Sequence, residues 1–283
     1  MHHSALPALV GALCLLLAGG TGAVSSVSTD TMATWLSNGG VDLAEAAAPM
    51  WFFGQAMDEP PCYPTAALDS SNGQVASVAL CDWPDTGCNC RKPGVAISNP
   101  GPSFPVYFSF LKCSSSEIRV VYNLFYQKDG FNPSGVFGHA YDWERVVVKW
   151  TLSGSWTPSH IMLSQHSGYQ TLAWAKIQNT FNTADVSLSR AGSNGRTNLD
   201  HAKVYVAWSK HAHYNTRNTG YNDALSQLTD NAFRSQDWWY FPTSSDYILA
   251  DNSTSAGKIL GSFDWGDATS DPLSVYEGLC SAS

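Results

Sequence analysis

From Asp142 to Trp150 the chain reads Asp-Trp-Glu-Arg-Val-Val-Val-Lys-Trp, an alternation that suits a strand with two differently used faces. Side chains on a strand point to opposite sides in turn, so Asp142 and Glu144 share the face that continues as Val146, Val148 and Trp150. That row demands burial, whereas Arg145 and Lys149 alternate onto a face expected in water. The two carboxylates therefore stand where a buried face opens to solvent, with His139 just ahead of them in the entering turn.

The same β-branched and aromatic signal marks Phe104 to Leu111, Glu117 to Tyr126, Ser159 to Gln165 and Ala202 to Trp208, each read as a strand. Between Asp223 and Trp239 the apolar residues Ala224, Leu225, Leu228, Ala232 and Phe233 follow helical spacing up to Pro242, which predicts one surface helix. Thr31 to Met57 predicts a further short helix and an apolar stretch, Trp51-Phe52-Phe53, packed on the main domain. Pro60 to Pro105 is dense in Pro, Gly, Asn and Cys without a repeating apolar face, and reads as a long irregular loop stapled by disulfides. No internal repeat or linker divides the rest. The fold class is all-β with a few short surface helices. The expected organisation is a signal peptide over 1–23, an extension over 24–57 packing on the domain, and one β domain over 58–283.

The N-terminal apolar run from Ala5 to Ala18 is too short to span a bilayer, and Thr21-Gly22-Ala23 supplies the small residues of a signal-peptidase site. The expected product is a secreted, extracellular protein, monomeric in solution. Charged residues make up only 13% of the 283 and aromatic ones 12%, the balance of a turn-rich exported β protein. A formal net charge of -8 argues against nucleic acid, which needs a concentrated basic surface. It also argues against plain attraction to anionic lipid, so any peripheral membrane contact has to be specific or bridged by a cation.

Cys14 leaves with the signal peptide. Cys62, Cys81, Cys88, Cys90, Cys113 and Cys280 remain, and in a secreted chain they predict three disulfides of undetermined pairing. A zinc site on Cys88-Asn89-Cys90 is disfavoured by the single-residue spacer. Asn252-Ser253-Thr254 is a glycosylation sequon, while Asn132-Pro133-Ser134 is blocked by its proline.

Two acids one pleat apart repel, and a bound cation keeps both ionised. Asp129, at the end of the preceding strand, and His166, after the following one, are the neighbours expected to converge on them. Oxygen-rich ligation with one imidazole suits Mg²⁺, Ca²⁺ or Mn²⁺ better than zinc. A hydrolase would use one carboxylate as base and His139 or His166 as acid, yet no nucleophile elbow, phosphate loop or His-Glu-x-x-His is present. His201, His211 and His213 read first as packing or surface histidines.

Gly138-His139-Ala140-Tyr141-Asp142-Trp143-Glu144 resembles the Gly-His-Arg-His-Asp-Trp-Glu heptapeptide of the secreted necrosis- and ethylene-inducing-like proteins. Tyr122 to Asp129 is similar to that family's aromatic strand ending in Lys-Asp. Ser164-Gln165-His166-Ser167-Gly168-Tyr169 is similar to its Ser-x-His-Gly-x-Tyr loop, and Cys62-Tyr63-Pro64-Thr65-Ala66 to its first disulfide cysteine and the residues after it. The resemblance runs from about Asp58 to the C-terminus. It implies a lectin-like β-sandwich related to actinoporins and fucose-binding lectins. It also implies a divalent cation in an acidic cavity, held by Asp129, His139, Asp142 and Glu144, with His166, Tyr141 and His211 lining it. The implied function is non-enzymatic: binding glycosylated sphingolipid headgroups of plant plasma membranes, with leakage and necrosis. The alternatives are a non-lytic cation-dependent lectin or a hydrolase using Asp142 and Glu144. Ala140 and Tyr141 stand where the motif has Arg and a second His, which removes cationic contacts. Cys81, Cys113 and Cys280 mark a divergent subfamily.

Overall fold

The computed structural model describes residues 23–53, 62–91, 100–165, 168–183, 194–216 and 238–283. The alternating stretch forms the longest strand described, β4 (Gly138–Ser153), between β3 (Glu117–Gly130) and β5 (Ser155–Gln165). With β2 (Val106–Ser114), β6 (Gly168–Ala173) and β11 (Tyr247–Leu249), these make a six-stranded sheet in the order β11-β2-β3-β4-β5-β6. A second sheet runs β10 (Trp238–Tyr240), β1 (Met50–Phe53), β8 (His201–Val206), β7 (Thr180–Phe181), with β9 (His213–Tyr214) also on β8. The parallel pairs are β1 with β8 and β11 with β2.

The two sheets face each other across one core, as the expected sandwich requires. Leu124, Val146, Val148, Trp150 and Leu163 of the large sheet meet Trp51, Phe53, Val204 and Val206 of the small one. Val146, Val148 and Trp150 are at most 1% exposed, so the inward row read from the alternation is buried.

The opposite face of β4 is not in water. Arg145 is 9% exposed and Val147 fully buried, because the C-terminal segment lies over this side. Trp265, Leu260 and Ala268 pack on Trp143, Phe125 and Tyr107, and Val275 and Leu279 pack on Val147, Val121 and Met162. Helices α3 (Ser255–Leu260) and α4 (Pro272–Gly278) carry this cover. It is pinned by the Cys113–Cys280 disulfide and by Arg119, which donates to the Leu279 and Ala282 carbonyls. Lys149 is only half-buried and pairs with Glu117 at 2.7 Å.

The N-terminal stretch holds two helices, α1 (Thr29–Ser37) and α2 (Val41–Ala46), rather than one. Gly40 has φ +75° and separates them, and a Cβ there would strike the Phe110 ring. Trp51-Phe52-Phe53 belongs to β1, which lies between β10 and β8; the stretch expected to pack on the domain thus supplies a strand to its second sheet. Of the helix expected over Asp223 to Trp239, residues 223–237 lie outside the described residues, and its last two, Trp238 and Trp239, are strand. No helix among the described residues is long and apolar enough to cross a membrane.

Two disulfides form, Cys81–Cys88 and Cys113–Cys280. Of the three bridges expected, these two form among the described residues. Cys62 is a buried thiol beside Cys90, and Cys90 directs its sulfur to the Gly87 carbonyl at 3.0 Å inside a tight turn.

Candidate cation site

Regular alternation on β4 would put His139 on the face opposite Asp142. The chain breaks that rule at Tyr141, whose φ is +58°, a left-handed conformation rare for a bulky residue. The Gln127–Tyr141 pair is accordingly missing from a ladder that otherwise matches Tyr126 to Asp142, Lys128 to Ala140 and Asp129 to His139. Asp129, His139 and Asp142 thus converge on one side. Just beyond, Gly130 (φ +65°) and Gly138 lie in close contact; a Cβ on Gly130 would sit 1.9 Å from the Phe137 carbonyl.

The third wall is the turn between β8 and β9. His211 N–H donates to the Ala207 carbonyl and Gly130 N–H to the Ser209 carbonyl, which docks the turn onto the end of β3. Lys210 Nζ then lies 3.1 Å from Asp129 Oδ2. His211 Nδ1 lies 2.9 Å from Asp142 Oδ2 and 3.7 Å from Asp129 Oδ1. The His211 ring stacks on Tyr126, centroids 3.9 Å apart and planes 3° from parallel, so its orientation is fixed from below.

Asp129, Asp142 and His211 form the cluster best suited to a metal ion: one ligand atom from each lies within 4.8 Å of the others, and all three residues are buried. The donor set of two carboxylates and one imidazole fits a divalent cation. Asp129 Oδ1 and His211 Nε2 are buried without a hydrogen-bond partner among the described residues, which leaves coordinating capacity unused. Burial, with the Asp142 carboxylate adding to it, pushes the Asp129 carboxyl up to about 6, against the pull of Lys210, His211 and His139. Burial alone would depress His139, but Asp129 and Asp142 outweigh it and the imidazole is raised.

The remaining sequence candidates distribute differently. His139 stands at the rim, its Nε2 3.5 Å from Asp129 Oδ2, outside the tight cluster. Glu144 lies deeper. Its Oε2 accepts the Ser164 hydroxyl, and Ser164 also accepts the Arg145 amide at 2.8 Å. Burial and the Asp142 carboxylate raise the Glu144 carboxyl well above its usual range, and the residue lies behind Asp142, outside the three-residue cluster. Tyr141, expected to line the cavity, packs instead against Trp265 and Phe125, 5.2 and 6.1 Å between centroids; the left-handed turn swings it into the aromatic cluster under the C-terminal cover. Ala140 is exposed. His166 lies outside the described residues. Lys210 and Tyr126 were not anticipated, and His211 moves from the cavity lining into the cluster itself. Its signal was a histidine one residue beyond Lys210 in a short connection between strands.

The profile of the family described as Necrosis inducing protein (NPP1) matches residues 55–257. No curated protein matches the chain. Among solved structures it is similar to the non-toxic HaNLP3 protein, with 18% identity, 80% of this chain and 83% of that one covered, and TM-score 0.47. A structure described as a toxin fold for microbial attack and plant defense aligns at 18% identity over 91% and 92% of the two chains, TM-score 0.47. NLPPya in complex with mannosamine aligns at 18% identity over 83% and 86%, TM-score 0.46. Likenesses this distant say nothing about what the site holds.

Proposed function

The chain belongs to the necrosis-inducing protein family, and from that premise we propose that it is a secreted, non-enzymatic effector that uses a divalent cation to engage glycosylated sphingolipid headgroups of plant-type membranes. The observation that carries this reading is the buried Asp129-Asp142-His211 cluster with its unpartnered Asp129 Oδ1 and His211 Nε2. In this reading Asp129, Asp142 and His211 hold the ion, with His139 at the rim and Glu144 behind, where the family resemblance implied Asp129, His139, Asp142 and Glu144. A bound Mg²⁺, Ca²⁺ or Mn²⁺ supplies positive charge and open coordination positions for headgroup oxygens. The protein's own residues position that charge. Tyr126 fixes the His211 ring, and Lys210 anchors Asp129. Ser164 keeps Glu144 in place. An ion held this way lets a chain of net charge -8 approach an anionic lipid.

Secretion after removal of 1–23, glycosylation at the exposed Asn252, and a monomeric state complete the reading. A non-lytic cation-dependent lectin is the second reading. It is favoured by Ala140 and by the inward turn of Tyr141, which leave the two positions after His139 without a charged contact. The hydrolase reading gains no support, since Glu144 is 6% exposed and occupied by Ser164. Dye release from vesicles containing plant glycosyl-inositol-phosphoceramide separates the first two. Leakage that stops on chelation supports the effector; cation-dependent binding without leakage supports the lectin. Neither binding nor leakage in any cation contradicts both.

A further inference from the structure

At the other end of β8 lies a cleft of about 590 Å³ lined by Trp35, Asp42, Glu45, Thr183, His201 and Phe241. Its size falls in the range of small-molecule sites. His201 begins β8 and His211 follows its end, so a strand length of roughly 17 Å separates this cleft from the cation site.

Apart from the Trp35 indole N–H, the side-chain polar groups lining the cleft are acceptors. His201 Nδ1 is 3.0 Å from the Ala48 carbonyl, which only accepts, so Nδ1 carries the proton. Burial lowers the His201 pKa to about 4, hence the ring is neutral and Nε2 is an acceptor. Nε2 lies 2.6 Å from Thr183 Oγ1, so the threonine hydroxyl spends its hydrogen on the ring. What Thr183 has left for the cleft is lone pairs. Asp42 and Glu45 sit three residues apart on α2, one helix face, and add two carboxylates; burial and the Asp42 charge raise the Glu45 carboxyl. Among the described lining residues there is no lysine or arginine.

The rest of the wall is aromatic and rigid. Phe241 is held edge-on by Phe181 at 5.3 Å and by His201 at 5.0 Å. A second cavity of about 200 Å³ shares Trp35, Ala46 and Thr183 and continues onto Val24, Ser25, Val27, Trp150, Pro158 and Asp200. The path therefore runs from a mouth with two carboxylates to a mainly apolar end that also holds the Asp200 carboxylate.

The geometry points to a second ligand site here, for a small primary ammonium compound with an apolar flank. Its head donates to Asp42, Glu45 and Thr183 while its flank lies against Trp35 and Phe241, where aromatic faces also attract the cation. A neutral molecule of the same shape lacks the third N–H donor and the charge, and leaves the carboxylates unpaired.

Isothermal titration with 2-phenylethylammonium, in EDTA so that the cation site is silent, tests this against 2-phenylethanol as the neutral counterpart. The amine is expected to bind and the alcohol at least tenfold more weakly. The Asp42→Asn/Glu45→Gln protein, altered on the helix surface and checked by thermal melting, is expected to lose at least tenfold in amine affinity. No amine binding by the wild type, equal binding of the alcohol, or unchanged affinity in the double variant overturns the site. If the double variant does not fold, the amine-alcohol comparison on the wild type decides alone.

Discussion

Replacing Asp129 with asparagine separates the cost of the cation site from its use. In the protein without a cation, burial and the Asp142 carboxylate raise Asp129 from 3.8 to about 6. The raised value means the fold prefers the protonated acid: the contribution is fully present below pH 3.8 and is lost as pH rises through about 6. Above that pH the ionised carboxylate costs the fold ~3 kcal/mol, at roughly 1.4 kcal/mol per unit. The asparagine side chain removes that penalty, which is already net of the Lys210 attraction, but leaves the half-buried Lys210 ammonium without its anion at a cost of about 1–2 kcal/mol, for a net gain of ~1–2 kcal/mol. Cation at a hundred times its Kd stabilises the wild type by about 2.7 kcal/mol. For a domain of this size each kcal/mol moves Tm by about 2–4 °C. At pH 7.5 in EDTA the Asp129→Asn protein should therefore melt ~2–8 °C above the wild type. With excess Ca²⁺, Mg²⁺ or Mn²⁺ the wild type should rise by ~5–11 °C while the variant stays put. Scanning calorimetry in both buffers reads both effects. A variant that gains as much from cation as the wild type, or that melts several degrees lower in EDTA, refutes the reasoning.

Acid should weaken the fold through two buried histidines. Burial lowers His201 to about 4 and His213 to about 3; a depressed value gives stability that is present above about pH 6.5 and is lost as pH falls through those values, while the raised Asp129 and Glu144 act in the opposite sense, so the histidine contribution is read by difference: from pH 7 to pH 4 the urea midpoint should fall further in the wild type than in His213→Asn. Ser164→Ala strips the hydroxyl from the buried Glu144 and should cost ~1–3 kcal/mol in urea unfolding; an unchanged midpoint would show that Glu144 does not depend on Ser164. Opening the Cys113–Cys280 bridge with paired serines should cost about 2–5 kcal/mol and make the C-terminal cover, including Val275 and Leu279, the first region to exchange amide hydrogens.

The inward face of the sheet was legible because alternation is a local property. Asp142, Val146, Val148 and Trp150 follow it without exception, and Asp129 could be placed because antiparallel pairing puts the end of one strand beside the start of the next. The dry outer face was not legible: the residues that cover Arg145 and Val147 come from beyond residue 250, and a strand's own pattern does not announce a layer added a hundred residues later. The packing of Tyr141 on Phe125 and Trp265 was not legible for the opposite reason. The motif invited a place in the cavity, but one left-handed residue in mid-strand reverses where its side chain goes, and its sequence carried no glycine or asparagine to warn of it. His211 depends on a turn docking by backbone hydrogen bonds to Gly130, which no side-chain pattern encodes. The cysteine count called for disulfides, and two of the three expected bridges form among the described residues.

In the proposed function the Asp129-Asp142-His211 cluster presents a cation to a glycosylated headgroup. Co-sedimentation with vesicles bearing glycosyl-inositol-phosphoceramide, in millimolar Ca²⁺, Mg²⁺ or Mn²⁺ and in EDTA, for the wild type and Asp142→Asn, tests it most directly. The account predicts that the wild type pellets with the vesicles only in at least one of the cations, that Asp142→Asn stays in the supernatant throughout, and that vesicles of phosphatidylcholine alone retain neither. Wild-type binding that survives EDTA, or binding by Asp142→Asn equal to the wild type, would contradict it.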